Sequence, residues 1–313
     1  MILTEVVPPA LDGERVDRVV ALLTGLARGQ VSDLVAAGGV TLRGATVRTR
    51  SVRVAEGDTV AVDVPEVADP VAVAGGGADV AFTVVHADDA VIVVDKPPGL
   101  VVHPGAGNPA GTLAQGIVSR FPEVAGVGEP ARPGVVHRLD RGTSGLLVLA
   151  RTEAARASLV AQLAARQVTR RYVALTWGHL RSPRGVVDAP IGRSRRDPTR
   201  MAVTTRGKEA RTAYAVEQRY DEPAAADLIG CTLETGRTHQ IRVHLAAVGH
   251  PVVGDARYGG VREPVAAPRP FLHARQLAFD HPATGERVTF DAPLPADLAA
   301  VLAGLVPAED PVV

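Results

Sequence analysis

The chain has 313 residues, 46% hydrophobic and 22% charged, with 34 basic and 34 acidic side chains balancing to a formal net charge of zero. That length predicts two domains and a core large enough to need neither disulfide nor metal. The single cysteine, Cys231, excludes an intrachain disulfide framework and a thiolate metal cluster, which fits a reducing compartment. Met1 to Glu5 lacks the basic and long apolar segments of a secretory signal, and no apolar run approaches the ~18 residues of a membrane span. The expectation is a cytoplasmic protein with no membrane partner. Zero net charge argues against a polyanion partner, but the distribution argues for one. Only Lys96 and Lys208 are lysines, and arginines cluster at Arg166-Arg170-Arg171, Arg193-Arg195-Arg196-Arg200 and Arg206-Lys208-Arg211. Arginine forks match phosphate oxygens bidentately. Aromatics are only 3%, too few for extensive base stacking on aromatic platforms.

Residues 12–64 read as a small module. Val16, Val19, Val20 and Leu23 recur at helical spacing after Asp12-Gly13. A second helix is predicted over Gln30 to Ala37, stopped by Gly38-Gly39. Val40-Thr41-Leu42, a turn at Arg43-Gly44, a strand over Arg48 to Val54, and the alternating strand Thr59 to Val64 follow. Arg15-Val16-Asp17, Ala27-Arg28, Gly39-Val40 and Val54-Ala55-Glu56-Gly57-Asp58 resemble the small RNA-binding domain of ribosomal small-subunit protein four. Ala27 replaces the serine common there, and Leu42-Arg43-Gly44 replaces valine-asparagine-glycine.

Residues 65–78, rich in proline, glycine and alanine, are expected to be a flexible linker. A larger domain over 79–306 opens with strands at Val80 to His86 and Ala90 to Val94, joined by a turn at His86 to Asp89. The apolar run Leu146 to Ala150 reads as a buried strand, Glu153 to Arg166 as a helix, and Tyr172 to Trp177 as a strand. Further strands are predicted at Cys231 to Glu234, Leu272 to Phe279 and Val288 to Phe290, with helix at Thr238 to Val248. Strands outnumber helices without alternating regularly, which makes the fold class mixed α+β rather than a doubly wound sheet. The 307–313 tail is expected to be disordered.

Three segments carry candidate chemistry. His137-Arg138-Leu139-Asp140, followed by Arg141-Gly142-Thr143-Ser144-Gly145, sets one carboxylate between two arginines at the mouth of the strand. This arrangement suits nucleophilic or general-base chemistry on an anionic polymer; alone it equally describes a solvated loop ion pair. Glycine-rich Gly105-Ala106-Gly107-Asn108-Pro109 lacks the Lys-Ser/Thr ending of a P-loop, which argues against ATP or GTP use. In Glu234-Thr235-Gly236-Arg237-Thr238-His239-Gln240-Ile241-Arg242-Val243-His244, Thr238 is a candidate helix cap, and His239 and His244 do not share a helix face. No glutamate stands between them, so a zincin site is not expected.

These three segments, together with Arg171-Tyr172-Val173-Ala174, Lys96-Pro97-Pro98-Gly99-Leu100-Val101-Val102-His103-Pro104, Gly249-His250-Pro251-Val252-Val253-Gly254-Asp255 and Leu272-His273-Ala274, resemble the RluA/RluD-type family of RNA pseudouridine synthases, in the family's order and over almost the whole chain. The resemblance implies a largely antiparallel β-sheet catalytic domain of pseudouridine synthase type with flanking helices and loops, and an N-terminal α/β RNA-binding domain. It implies a cofactor-free isomerase converting uridine to pseudouridine in RNA, with no metal. Asp140 matches the essential aspartate, Arg242 its arginine partner, and Tyr172 the active-site tyrosine. Candidate RNA contacts are His137, Arg138, Arg141, Arg237, His239, Gln240, Arg28, Arg193 and Lys208. The RluD-like branch implies 23S ribosomal RNA or its precursor as partner of a monomeric enzyme. Alternatives are the same chemistry on tRNA or another rRNA site, a non-catalytic ribosome-assembly factor, and a glycoside hydrolase, for which Glu234 and Asp255 are the candidate second carboxylates.

Overall fold

A computed structural model describes residues 2–24, 28–63, 79–105, 108–197 and 199–309. The side chains of Arg28 and Gln30, Ala27, and the segment expected to be a linker lie outside the described residues. The chain divides into two compact units, 1–69 and 70–313.

In the first unit, β1 (Ile2–Val6), α1 (Val16–Thr24), α2 (Arg28–Ala37), β2 (Val40–Leu42), β3 (Ala45–Thr46) and β4 (Thr59–Asp63) form a four-stranded sheet, ordered β1-β4-β2-β3, with two helices. Valines at i, i+3 and i+4 of α1 (Val16, Val19, Val20) bury against Val31 and Val35 of α2 and Val40, Val60 and Val62 of the sheet. Arg43 and Gly44 both adopt positive φ, the geometry of a tight hairpin turn. Two expectations are corrected. Strand β1 pairs with β4 along its whole length, so the unit begins before residue 12. Arg48 to Val54 is not a strand. The alternation of arginine and valine imitates one, but Val54 N–H donates to Glu14 O and Val52 O accepts from Val16 N, leaving only an isolated bridge between Arg15 and Arg53.

The second unit contains β5 (Thr83–Ala87), β6 (Val91–Lys96), α3 (Leu113–Arg120), β7 (Ser144–Ala150), α4 (Glu153–Ala164), β8 (Thr169–Trp177), β9 (Arg184–Asp188), β10 (Ile191–Arg193), β11 (Met201–Val203), β12 (Arg211–Glu222), β13 (Ala226–Leu233), α5 (Gln240–Ala247), β14 (Leu272–Asp280), β15 (Arg287–Asp291), α6 (Ala296–Ala303) and β16 (Val306–Pro307). One mixed sheet runs β16-β12-β13-β8-β14-β7-β6-β5, with β9 on β12 and β15 on β14; every pairing is antiparallel except β14 with β7. Strands β10 and β11 form a separate hairpin. The α+β expectation therefore holds.

Strands β6 and β7 are continuous apolar runs because both faces of the sheet are covered. Ile92, Val94, Leu147 and Leu149 face one core with Leu113, Ile117, Ile241 and Leu298; Val91, Val93, Leu146 and Val148 face the other with Ala155, Leu159 and Phe279. Helix α4 starts where Thr152 Oγ1 accepts from Ala155 N–H. Helix α3 escaped the sequence reading: it is only eight residues long and carries Gly116, a poor helix former, in its interior. The tail is ordered further than expected: Pro307 pairs with Tyr220 in the sheet, while 310–313 lie outside the described residues. Among the described residues no helix is long and apolar enough to cross a membrane.

Candidate active site

The loop carrying Asp140 is held from behind. Lys96, at the end of β6 and wholly buried, donates from Nζ to Pro97 O at 2.9 Å and Leu100 O at 2.8 Å, with a longer bond to Arg141 O at 3.4 Å. Gly99 N–H also donates to Arg141 O, and Arg269 Nη1 donates to Gly142 O at 3.1 Å while its guanidinium pairs with Asp297 of α6. Gly145, at φ +112°, is where β7 lies parallel to β14; a Cβ there would stand 2.3 Å from Ala274 O, so the backbone approach requires glycine. Burial drives the Lys96 pKa down to about 7, with the Asp140 charge opposing that fall and Arg269 adding to it. The sequence reading gave Lys96 no part in the site.

Helix α5 brings Arg242 to Asp140. Arg242 Nη1 donates to Asp140 Oδ2 at 3.0 Å, while Nε and Nη2 donate to Asp255 Oδ2 and Oδ1 at 2.6 and 2.9 Å. Asp140 remains 16% exposed, whereas Asp255 is fully buried. Burial alone would weaken the hold of Arg242 on its proton, but hydrogen bonds to Asp255 and the Asp140 charge reverse that and raise its pKa. Asp255 therefore fixes the fork, leaving one N–H arm for Asp140. Its position behind Arg242 closes it to substrate and removes it as a hydrolase's second carboxylate. The sequence did not reveal this role of Asp255, because the pairing joins residues 13 apart across a helix end.

His239 takes the left-handed conformation (φ 58°) at the N-cap of α5, where Thr238 was expected to cap; no side-chain cap bond forms. The turn places His239 Nε2 4.0 Å from Asp140 Oδ1 and Nδ1 2.8 Å from Tyr258 Oη. Burial lowers the His239 pKa, against the attraction of Asp140. The Tyr258 ring also packs on the Arg242 guanidinium, 5.2 Å from its centroid, a contact the sequence did not reveal.

Asp140 opens onto a cavity of about 670 Å³ walled by Tyr172, His137, Arg138, Arg170 and Arg237. Tyr172 projects from β8 and is nearly buried; burial, opposed by Arg170 and reinforced by Asp140, pushes its phenol up to about 12. Asp140, Tyr172 and Arg242 thus come together from three separate stretches of chain. The candidate RNA contacts divide. Arg138 is exposed on the cavity wall, and Arg237 lines it while its Nε donates to Glu209 O. His137 is there too, but its Nε2 accepts from Val148 N–H and burial, with Arg170, lowers its pKa to about 3, so it is a neutral acceptor and no phosphate clamp. Gln240 is corrected: it is buried, with its amide bonded to Thr235, Arg237, Arg211 and Thr212, and it shapes the turn. Arg141 lies outside the cavity lining, tied through Nε to Gly99 O. Arg193 and Lys208 also lie outside it, on and beside the β10–β11 hairpin. The Arg28 side chain is outside the described residues. Among the described residues no group of three or more His, Cys, Asp or Glu side chains is arranged to hold a metal.

A recessed Asp–Arg pair in an arginine-walled cavity on a mixed sheet is the kind of site that suits an enzyme acting on an anionic polymer. Comparison narrows the class. Residues 90–247 match the RNA pseudouridylate synthase family. The chain is 43% identical to the ribosomal large subunit pseudouridine synthase D of Xanthomonas campestris, over 96% of this chain and 91% of that one. It is 41% identical to the uncharacterized RNA pseudouridine synthase YlyB of Bacillus subtilis, over 93% and 94%. Among solved structures it resembles human RNA pseudouridylate synthase domain containing 1, at TM-score 0.58 and 30% identity, covering 73% of this chain and 89% of that one. The chain belongs to the RluD-type family of RNA pseudouridine synthases and is an isomerase acting on uridine in RNA.

Proposed function

We propose that the chain isomerises uridines of large-subunit ribosomal RNA, with Asp140 as the essential carboxylate. The observation that carries this reading is the pairing of a partly exposed Asp140 with an Arg242 already locked by Asp255, at the end of a cavity walled by Tyr172. The relatives named ribosomal large subunit pseudouridine synthase D support the choice of RNA.

The reaction breaks the C1′–N1 bond, turns the uracil over, and joins C5 to C1′ with loss of the C5 proton. Asp140 serves it by attacking C1′ or by removing a ribose proton to give a glycal; both routes need the carboxylate form. Arg242 holds the carboxylate in one orientation. A recessed acid cannot reach a stacked nucleotide, so the target uridine flips into the cavity. Tyr172 packs on the flipped base. Its phenol, pushed up to about 12, stays protonated at neutral pH and presents a ring face rather than a phenolate base. The chemistry draws on these side chains alone and needs no cofactor. Arg138 and Arg237 hold backbone phosphates at the cavity mouth, and the first unit adds RNA-binding surface. Within that unit Arg15, Arg18 and Arg43 are occupied by Asp17, Glu14 and Asp58, so its contribution rests on other arginines.

The test is a reverse-transcription map of pseudouridine in total RNA from cells with and without the gene. Stops that vanish from large-subunit rRNA support the reading; loss confined to tRNA would reassign the substrate.

A further inference from the structure

One buried cation on the cavity wall has no counter-charge among the described residues. Arg170 lies two residues before Tyr172 on β8, so both side chains leave the same face of the strand and line the same cavity. It is 7% exposed. Its Nη2 makes only long bonds, to Leu233 O at 3.5 Å and Glu234 O at 3.4 Å, and its buried Nε has no partner. Among the described residues no carboxylate forms an ion pair with it, whereas Arg132 pairs with Glu129, Arg156 with Glu153, Arg166 with Glu209, and Arg242 with Asp140 and Asp255. Arg138 and Arg237 also lack a carboxylate partner among the described residues, but Arg138 is exposed and Arg237 is only partly buried. Burial lowers the Arg170 pKa, with the Tyr172 phenol opposing the fall. A buried charge without a partner is costly, and the fold retains one where a ligand supplies the opposite charge.

The reaction creates such a charge. When C1′–N1 breaks, its electron pair stays on uracil and spreads over N1, O2 and O4. The cluster of Asp140, Arg242 and Asp255 has no positive charge to spare for it: two carboxylates stand against one guanidinium at rest, and one against one once Asp140 has been esterified or protonated. We propose that Arg170 is a catalytic residue that hydrogen-bonds a uracil carbonyl and stabilises the uracil anion while the base turns over. This inference rests on the pseudouridine synthase reading. The electrons balance without a co-reactant. As C1′–N1 breaks, Asp140 forms an ester to C1′ or takes the C2′ proton, and the leaving pair resides on the ring. The C5=C6 pair then bonds C1′ as the ester carboxylate leaves or Asp140 returns the C2′ proton, and the C5 proton is lost to solvent while N1 takes one up. Arg170 forms no covalent bond.

The test uses the full chain and an rRNA fragment containing the uridine identified by mapping, with that position either uridine or 5-fluorouridine, whose ring is the more acidic leaving group. Single-turnover cleavage of the C1′–N1 bond is measured for wild type, Arg170→Met and Arg170→Lys. Arg170→Met is expected to slow the uridine substrate by about 10²–10³-fold, as for loss of one anion-stabilising donor. RNA affinity should stay within about threefold, and the loss should shrink at least tenfold on 5-fluorouridine, which needs less help to leave. Arg170→Lys should recover part of the rate. Because Met removes an unpaired buried charge, its thermal midpoint should equal or exceed that of wild type. Equal losses on both bases, loss confined to affinity with a shallower salt slope, an unchanged rate, or a lowered midpoint would each overturn the proposal. A wild-type enzyme that forms no pseudouridine would instead overturn the functional reading.

Discussion

Asp255→Ala separates an electrostatic clamp from a chance contact. Asp255 is fully buried and makes four hydrogen bonds: to Arg242 Nε at 2.6 Å, Arg242 Nη2 at 2.9 Å, Arg257 N at 3.0 Å and Tyr258 N at 3.3 Å. Removing one member of a buried ion pair costs about 3–5 kcal/mol, because the other is left uncompensated. For a unit of this size each kcal/mol moves the thermal midpoint about 2–4 °C, so a fall of about 6–20 °C is expected. Turnover should fall with it, since Arg242 then has only Asp140 to fix its orientation. Arg242→Met in the same background should cost less than the sum of the single changes, as the pair shares one network. Thermal and urea unfolding of the three variants, with pseudouridine formation on the same samples, provides the readings. An Asp255→Ala midpoint within about 1 °C of wild type, or strict additivity in the double variant, would refute the clamp.

Three further expectations follow from the charges. Lys96 has a folded pKa of about 7, below the ordinary lysine value of 10.5, so between those values the unfolded chain binds more protons. Stability of wild type relative to Lys96→Met should rise as pH increases through that window; a flat difference in urea midpoints from pH 7 to 10 would contradict it. His179 shows the opposite sign. Burial disfavours its charge, but hydrogen bonds to Asp227 at 2.7 Å and Asp221 at 2.9 Å prevail and raise its pKa. Its contribution is complete below about 6.5 and is lost as pH rises through the raised folded value, so His179→Asn should lose more stability at pH 6 than at pH 9, and equal losses would count against the bridge. Arg138→Ala should weaken RNA binding without base preference and reduce the slope of log affinity against log salt by about 1, or about 0.7 on a single strand. An unchanged slope would remove Arg138 from the phosphate contacts.

The parts legible in the sequence are those with local signals. The runs in β6 and β7 announced buried strands, and the resemblance carried by the HRLD and TGRTHQIRVH segments pointed to Asp140 and Arg242, although HRLD alone read equally as a surface ion pair. What stayed hidden depends on partners distant in the chain. Nothing near Lys96 shows that its ammonium reaches Arg141 O, 45 residues away, and nothing near Arg170 shows that no carboxylate meets it. Gln240 misled for a related reason: it sits among functional residues in a polar motif, yet its amide serves the turn. The Arg48 to Val54 alternation misled because the period of a strand does not supply a neighbouring strand to pair with.

The most direct measurement compares wild type and Asp140→Asn in cells lacking the native gene, with pseudouridine mapped across total RNA and RNA affinity measured on the purified proteins. Asn keeps the shape of Asp140 and its contact with Arg242 Nη1 while removing the charge. Wild type should restore every lost large-subunit rRNA site; Asp140→Asn should restore none while binding RNA within about threefold of wild type, turnover having fallen by more than about 10³-fold. Restoration of the sites by Asp140→Asn would contradict the account at its centre.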